Sequence, residues 1–252
     1  MRAADLIVAL RLPPAARVDR RIPKKRLLEN GAPTAADRRL INESVDSLVW
    51  VAALKPSTVG IPALVDGTRE YLEVAVISVT VRDQATQARL ANLVHRAIPY
   101  PVLLILQDER QVGLSAVHKR RSLGEAGKVV LDDEGVWASI GDATDAAWLP
   151  AFYQALALSR LPRTSMFTLY QGWIDTLVAL VAARLTGTFS MLASAPEAGA
   201  RRAATSDYER TEAEVGRIRK LAARETQVSR QVELNQQLAR LRARLTEART
   251  KL

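Results

Sequence analysis

The stretch 71–81 constrains the fold most, because a strand formed there would be apolar on both faces. Its residues alternate in two apolar sets, Leu72, Val74 and Val76 on one face and Ala75, Ile77 and Val79 on the other. A strand buried on both faces lies inside a sheet that further layers cover. Shorter apolar runs predict strands over 47–54, 102–106, 112–118, 128–131 and 136–140, with a helix over 83–98. We therefore predict an α/β fold, a mixed sheet with flanking helices.

The C-terminal part predicts a helical segment and then a long coiled-coil helix. A narrow apolar seam follows heptad spacing through Leu234, Leu238, Leu241, Leu245, Ala248 and Leu252. Such a seam on a charged helix requires a partner, which is another copy, another subunit or the body of the same chain. Upstream, Glu225 and Gln231 interrupt the seam, so we expect a stutter there.

These patterns divide the chain into five predicted parts. The parts are a basic N-terminal helical segment over 1–45, an α/β sheet core over 46–141, a helical pair packed on the core over 142–190, a linker over 191–206 and the coiled coil over 207–252. The most apolar helix, near 173–183, contains Asp175 and is shorter than the ~20 residues that span a bilayer. No secretion signal precedes the core, so we expect no membrane and a cytoplasmic protein.

Positive charge is concentrated at the two ends of the chain. Residues 1–29 carry eight Lys or Arg against three Asp or Glu, and residues 201–252 carry thirteen against seven. Within the first region, Arg17, Arg20, Arg21, Lys24, Lys25 and Arg26 follow one another closely. Charge sorted in this way predicts contact with a polyanion or another acidic partner. Among the polyanions we predict DNA before RNA. Arginine that merely solubilises a helix is the alternative for the C-terminal part.

Most catalytic constellations are absent from the sequence. The chain has no cysteine and two histidines, which excludes disulfides, thiolate metal sites and multi-histidine metal sites. Phosphate-binding glycine loops and D/E-x-K triplets are also absent. We therefore predict neither a cofactor nor a metal, and the balance favours a protein without catalytic activity. The alternative is a divergent metal-dependent nuclease or phosphodiesterase using Glu70, Glu73 and His118.

A second basic cluster follows a predicted strand. His118, Lys119, Arg120 and Arg121 would stand at the strand end, where arginine and lysine can bind phosphates through charge-assisted hydrogen bonds. The competing interpretation is a polar strand end with His118 packed over the edge. His95 lies on a predicted helix and is expected to be a satisfied, partly buried side chain rather than a catalyst.

Several motifs in order resemble a known family. They are Arg20–Lys25 (RRIPKK), Leu54–Pro56 (LKP), Tyr71–Val76 (YLEVAV), His95–Pro101 (HRAIPYP), Ala116–Arg120 (AVHKR) and Gln231–Asn235 (QVELN). Across nearly the whole chain the sequence resembles an uncharacterised bacterial family, a domain of unknown function. Its members are often encoded beside helicase and DNA methyltransferase genes in restriction-like or antiphage loci.

The resemblance implies an accessory role but transfers no catalytic residue. It implies a subunit of an antiphage or restriction-modification-like complex, with helicase or methyltransferase subunits as partners. Combined with the charge and the heptad seam, it yields our hypothesis of a non-enzymatic scaffold. In this hypothesis the basic segments contact nucleic acid and the coiled coil assembles copies or partners.

Overall fold

A computed structural model describes residues 2–82, 87–125, 127–133, 135–141 and 147–252 of the protein. Six of the strands in this part form one sheet, and two pairs form small ribbons. The strands are β1 (Arg17–Arg21), β2 (Val45–Leu54), β3 (Leu64–Val65), β4 (Glu70–Tyr71), β5 (Val74–Val81), β6 (Val102–Gln107), β7 (Val112–Ala116), β8 (Lys119–Arg121), β9 (Val129–Leu131) and β10 (Val136–Ile140).

The main sheet has the order β1–β2–β5–β6–β7–β10, and the ribbons pair β3 with β4 and β8 with β9. All neighbouring strands are antiparallel except β5 and β6, which are parallel. A parallel pair requires a crossover, and a helix between the two strands supplies it. Strand β5 therefore lies inside the sheet, as its two apolar faces predicted.

The helices of the described residues cover the sheet and form the C-terminal part. They are α1 (Ala3–Ala9), α2 (Lys24–Gly31), α3 (Ala35–Ser44), α4 (Pro56–Val59), α5 (Gln87–Ala97), α6 (Leu149–Leu156), α7 (Met166–Thr186), α8 (Ala195–Ala222) and α9 (Val228–Arg249). Apolar residues of α2, α3 and α5 pack with β2, β5 and β6 in one core cluster. The predicted mixed α/β fold with a long C-terminal helical part is confirmed.

The N-terminal segment differs from its prediction. Residues 1–45 were expected to be helical, whereas Arg17–Arg21 form an edge strand against β2. A bulge between Arg17 and Arg20 interrupts the pairing, and Asp19 in this bulge adopts a positive φ of 49°. The residues of β1 are mostly charged and exposed, so the sequence shows no apolar pattern typical of a strand. The strand is defined by its pairing with β2.

By its internal contacts the chain divides into two units, Met1–Leu177 and Val178–Leu252. In the second unit, α8 begins inside the predicted linker, and the single predicted coil helix is replaced by two helices. The hydroxyl of Ser194 accepts a hydrogen bond from the Glu197 backbone N–H at 3.3 Å and so caps α8. Between the two helices, the Glu225 carboxylate accepts hydrogen bonds from the backbone N–H groups of Thr226 and Gln227 and so stabilises the turn that precedes α9.

Helix α7 (Met166–Thr186) extends beyond the most apolar stretch near 173–183. Its 21 residues make it the one helix, among the described residues, that is long and apolar enough to cross a membrane. Within its most apolar window, 72% of the helix is buried inside the protein. That burial is typical of a core helix in a soluble protein. Two predicted starts lie outside the described residues. They are the start of the helix predicted over 83–98 and the start of the helical pair predicted over 142–190.

Gly31 tests the packing of α2 against α5. A Cβ atom at Gly31 would lie 2.6 Å from the Leu93 carbonyl oxygen and 2.7 Å from the Ala97 Cβ. We expect Gly31→Ala to lower the free energy of unfolding by about 1–3 kcal/mol, because the two helices must move apart. Gly67→Ala is the control, since nothing lies within 4 Å of its Cβ position. Urea denaturation of both variants measures the effect, and equal stabilities would contradict this account.

Candidate functional site

The N-terminal basic segment Arg17–Arg26 lies on the exposed edge strand β1 and the first turn of α2. Buried Leu27 anchors α2 to the core behind it. Two of the cations have carboxylate partners, Arg17 with Asp19 at 2.7 Å and Lys25 with Glu29 at 3.6 Å. Within the described part of the chain, no ion pair involves the remaining four, Arg20, Arg21, Lys24 and Arg26. These side chains are available to an external anion.

His118 is buried within an aromatic cluster. Its Nδ1 lies at hydrogen-bond distance from the Tyr71 hydroxyl, its Nε2 lies 2.8 Å from the Gln171 Oε1, and its ring stacks on Phe167. Because Gln171 Oε1 can only accept, Nε2 carries the proton and Nδ1 accepts from Tyr71. Burial lowers the pKa of His118 and outweighs the opposing effect of the Gln171 contact. The neutral imidazole is therefore a structural group in this environment.

Lys119 is also buried, with 3% of its surface exposed. Its ammonium donates a hydrogen bond to the His95 carbonyl oxygen at 2.7 Å and another to the Ile98 carbonyl oxygen. These carbonyls stand at the C-terminal end of α5, where helices leave acceptors without intrahelical partners. Burial lowers the pKa of Lys119 to about 7. The lysine thus caps a helix from inside the protein.

The two arginines that follow are paired with carboxylates. Arg120 lies 3.1 Å from Asp132, and Arg121 lies 2.9 Å from Glu70. Asp132 also accepts a hydrogen bond from Arg69 at 2.9 Å. The structure therefore places the predicted second basic cluster, His118 to Arg121, in internal contacts that occupy each side chain.

The carboxylates of the nuclease hypothesis share a cleft of about 340 Å³, but His118 does not line it. Glu70 pairs with Arg121, and Glu73 lies 3.2 Å from Lys55. The Glu73 Oε1 atom is buried without a hydrogen-bond partner among the described residues. The described part of the chain contains no group of three or more acidic or histidine side chains that could hold a metal. The structure thus brings the two carboxylates together without their proposed base.

The heptad seam of the C-terminal helix packs against α8. Leu238 is buried with Ile218 and Ala222, and further seam and α8 residues surround these three, namely Leu234, Leu241 and Val215. Ala248 is also buried, whereas Leu245 and Leu252 are half-buried. Much of the seam therefore finds its partner within the same chain, in an antiparallel hairpin of α8 and α9.

His95 is more deeply buried than the sequence predicted. Its Nε2 lies 3.0 Å from the Ser115 hydroxyl, while its Nδ1 has no hydrogen-bond partner among the described residues. Only 2% of its surface is exposed. Burial, reinforced by the nearby Lys119 charge, lowers the pKa of His95 to about 3. Local sequence carries no signal for this burial, because it depends on β7 and β8.

The pKa of His95 predicts a pH dependence of stability. Between pH 6.5 and about 3, the unfolded chain binds a proton on His95 that the folded protein does not bind. Stability is therefore lost as the pH falls through this range. In His95→Gln, the number of protons taken up on unfolding at pH 5 should fall by about one. Urea unfolding at pH 4.5–7 measures this number as the slope of stability against pH. The same slope in both proteins would show that His95 is protonated when folded.

Comparison with known proteins places the chain in a family without assigning it a reaction. No curated protein and no solved structure matches the chain. The family described as a domain of unknown function, DUF4391, matches residues 10–245. This match includes the six-stranded sheet, the buried His118 cluster and most of the helical hairpin. The chain therefore belongs to the DUF4391 family.

Proposed function

We propose that the protein is a non-enzymatic accessory subunit that contacts nucleic-acid phosphates through the basic segment Arg17–Arg26. The observation that carries the proposal is a set of four exposed or partly exposed cations that form no ion pair with any residue the structure describes, namely Arg20, Arg21, Lys24 and Arg26. In this proposal the subunit acts in the bacterial cytoplasm, in a defence or restriction-modification-like complex with helicase or methyltransferase subunits. The resemblance to proteins encoded beside such genes supports these partners.

The position of the four cations favours a backbone contact with nucleic acid. They lie on a sheet edge and the helix that follows it, so an extended polyanion could run past both without entering a cavity. Phosphate contacts of this kind release counterions and provide affinity without reading sequence. The second basic cluster does not join them, because Arg120 and Arg121 are already held by Asp132 and Glu70.

Exposed arginine on an edge strand has a competing explanation. Charged side chains protect a sheet edge against pairing with other chains, and Arg20 and Arg21 occupy such an edge. Protection of the edge does not require Lys24 and Arg26, which lie on α2 beyond the strand. The two explanations differ in whether the protein has a salt-dependent affinity for DNA.

Neutralising the four cations should weaken DNA binding and flatten its salt dependence. The variant carries Arg20→Gln, Arg21→Gln, Lys24→Gln and Arg26→Gln. We expect its negative slope of log K against log salt concentration to be smaller in magnitude by roughly 3 to 4, because each lost phosphate contact contributes about 0.9. Fluorescence anisotropy with duplex DNA at 50–200 mM salt measures this slope for the full chain.

A matched variant controls for net charge. It removes four cations that already have carboxylate partners, Arg39 (with Glu43), Arg82 (with Asp46), Arg217 (with Glu214) and Lys251 (with Glu247). Glutamine at these positions changes the net charge equally and should leave most of the slope intact. An equal loss in both variants, or no DNA binding by the unaltered chain, would refute the nucleic-acid part of the proposal.

The proposed assembly role belongs to the helical hairpin of α8 and α9. Its seam is largely used internally, so assembly has to employ apolar side chains outside the seam. Three such residues lie near the turn of the hairpin, Leu221, Val228 and Val232, and they are 44%, 73% and 49% exposed. Apolar side chains grouped at one end of a charged hairpin favour contact with a second copy.

Light scattering after size exclusion tests this role. We expect the full chain to form a dimer or larger assembly, and the variant Leu221→Ser, Val228→Ser, Val232→Ser to be monomeric, because it loses the apolar surface at the turn. The control replaces three comparably exposed residues elsewhere, Val8, Val65 and Leu123, with serine. A monomeric full chain, or dissociation in both variants, would remove self-association from the proposal.

A further inference from the structure

A second cleft, of about 570 Å³, lies where the end of α2, the end of α5 and strand β9 meet. Its lining combines the cations Arg38, Arg96 and Lys128 with the apolar run Val129–Leu131. We propose that this cleft binds a nucleoside 5′-phosphate, with the phosphate held by Arg38 and Arg96 and the nucleoside lying along 129–131. The basic segment Arg17–Arg26 contributes no residue to the cleft, so the inference does not rest on the proposed function.

The two guanidinium groups are available to a ligand. The side chain of Arg38 makes one hydrogen bond, from Nε to the Ala32 carbonyl oxygen at 3.4 Å. In the described part of the chain, the side chain of Arg96 has no hydrogen bond or ion pair, and Arg38 has no carboxylate partner. By contrast, nearby Arg39 pairs with Glu43 at 2.8 Å and Arg89 pairs with Asp37 at 2.7 Å.

The charge around the cleft favours an anion. Glu29 is its one acidic lining residue among those the structure describes, and its carboxylate lies 3.6 Å from Lys25. Lys128 adds a further positive charge, although it pairs with Glu125 at 2.8 Å. A planar guanidinium can form two parallel hydrogen bonds to a phosphate, which makes Arg38 and Arg96 suitable ligands.

Lys119 makes the floor of the cleft compatible with an anion. The C-terminal end of α5 would otherwise present carbonyl oxygens and the negative end of the helix dipole at this place. The buried ammonium of Lys119 binds two of these carbonyls, those of His95 and Ile98. This internal cap removes the repulsion that a phosphate near the end of α5 would meet. The ammonium of Lys119 is thus already engaged, and the phosphate contacts are left to Arg38 and Arg96.

The size and the walls of the cleft fit a nucleotide better than a bare phosphate. Binding sites for small ligands commonly have volumes of about 300–1,000 Å³, and the cleft falls within this range. Val129, Val130 and Leu131 are half-buried and offer an apolar surface to a base or sugar. The cations of the cleft suit the charged end of a ligand, and its apolar residues suit a less polar end. A free nucleotide and the phosphorylated 5′ end of a nucleic-acid strand both have this chemistry.

Isothermal titration of the full chain tests the site. The probes are the four nucleoside 5′-monophosphates, adenosine, inorganic phosphate, and one oligonucleotide with either a 5′-phosphate or a 5′-hydroxyl end. We expect at least one monophosphate to bind about tenfold or more tightly than adenosine and than inorganic phosphate. Arg38→Gln and Arg96→Gln should each weaken that binding about tenfold. The control Arg39→Gln changes the neighbouring arginine, whose carboxylate partner is Glu43, and should leave binding unchanged.

The oligonucleotides distinguish the two sources of the ligand. If the 5′-phosphate oligonucleotide binds more tightly than the 5′-hydroxyl one, and Arg38→Gln abolishes this difference, the ligand is the end of a nucleic-acid strand. If only the monophosphates bind in the cleft, the ligand is a free nucleotide. The inference is overturned if no phosphorylated probe binds, if binding survives in both cleft variants, or if inorganic phosphate binds as well as every nucleotide. Because the four-residue variant of the basic segment leaves the cleft intact, it should retain nucleotide binding. If the four-residue variant loses DNA affinity but the unaltered protein binds no nucleotide, the nucleotide site in the cleft is rejected. The proposed DNA contact of the basic segment would then still stand.

Discussion

The fold depends on satisfying the polar groups of Val117–Lys119, where the chain leaves the main sheet within the protein interior. Two buried tyrosines from distant parts of the chain perform this task. The Tyr170 hydroxyl accepts from the Val117 N–H at 2.9 Å and donates to the Val102 carbonyl oxygen at 2.8 Å. The Tyr71 hydroxyl accepts from the Lys119 N–H at 3.4 Å and reaches His118. Unpaired backbone groups at this depth would cost stability, so the two tyrosines determine the path of the chain.

The features around this turn follow from that path. Once residue 119 is buried beneath α5, its ammonium meets the last carbonyls of that helix, and Lys119 lines both clefts. The residues that follow emerge as β8, where Arg120 and Arg121 meet Asp132 and Glu70. Lys119 is thus shared by the cleft that contains Glu70 and Glu73 and the cleft that contains Arg38 and Arg96.

Sequence patterns predicted the elements whose burial is local and missed those that depend on distant partners. The apolar strands were predicted close to their observed bounds, because a short run that is apolar on both faces is visible in the local sequence alone. Strand β1 was missed because charged side chains hide an edge strand. The first part of helix α8, residues 195–206, was assigned to the linker although Ser194, Pro196 and Glu197 form a recognisable helix start. The burial of His118 and Lys119 had no local signal, since it depends on Tyr71, α5 and α7.

Counting cations along the sequence therefore overstates how many can meet a polyanion. A guanidinium already held by a carboxylate has its charge partly neutralised and fewer N–H donors left for a phosphate, whereas an unpaired one only exchanges water. By this criterion, two groups stand out near α2: the basic segment at its start and Arg38 with Arg96 at the cleft near its end. The eight residues of α2 span roughly 12 Å. This length is close to the Debye length of about 8–10 Å at physiological salt. At physiological salt the fields of the two groups are therefore partly screened from each other, and they combine on one ligand more strongly when the salt concentration is low.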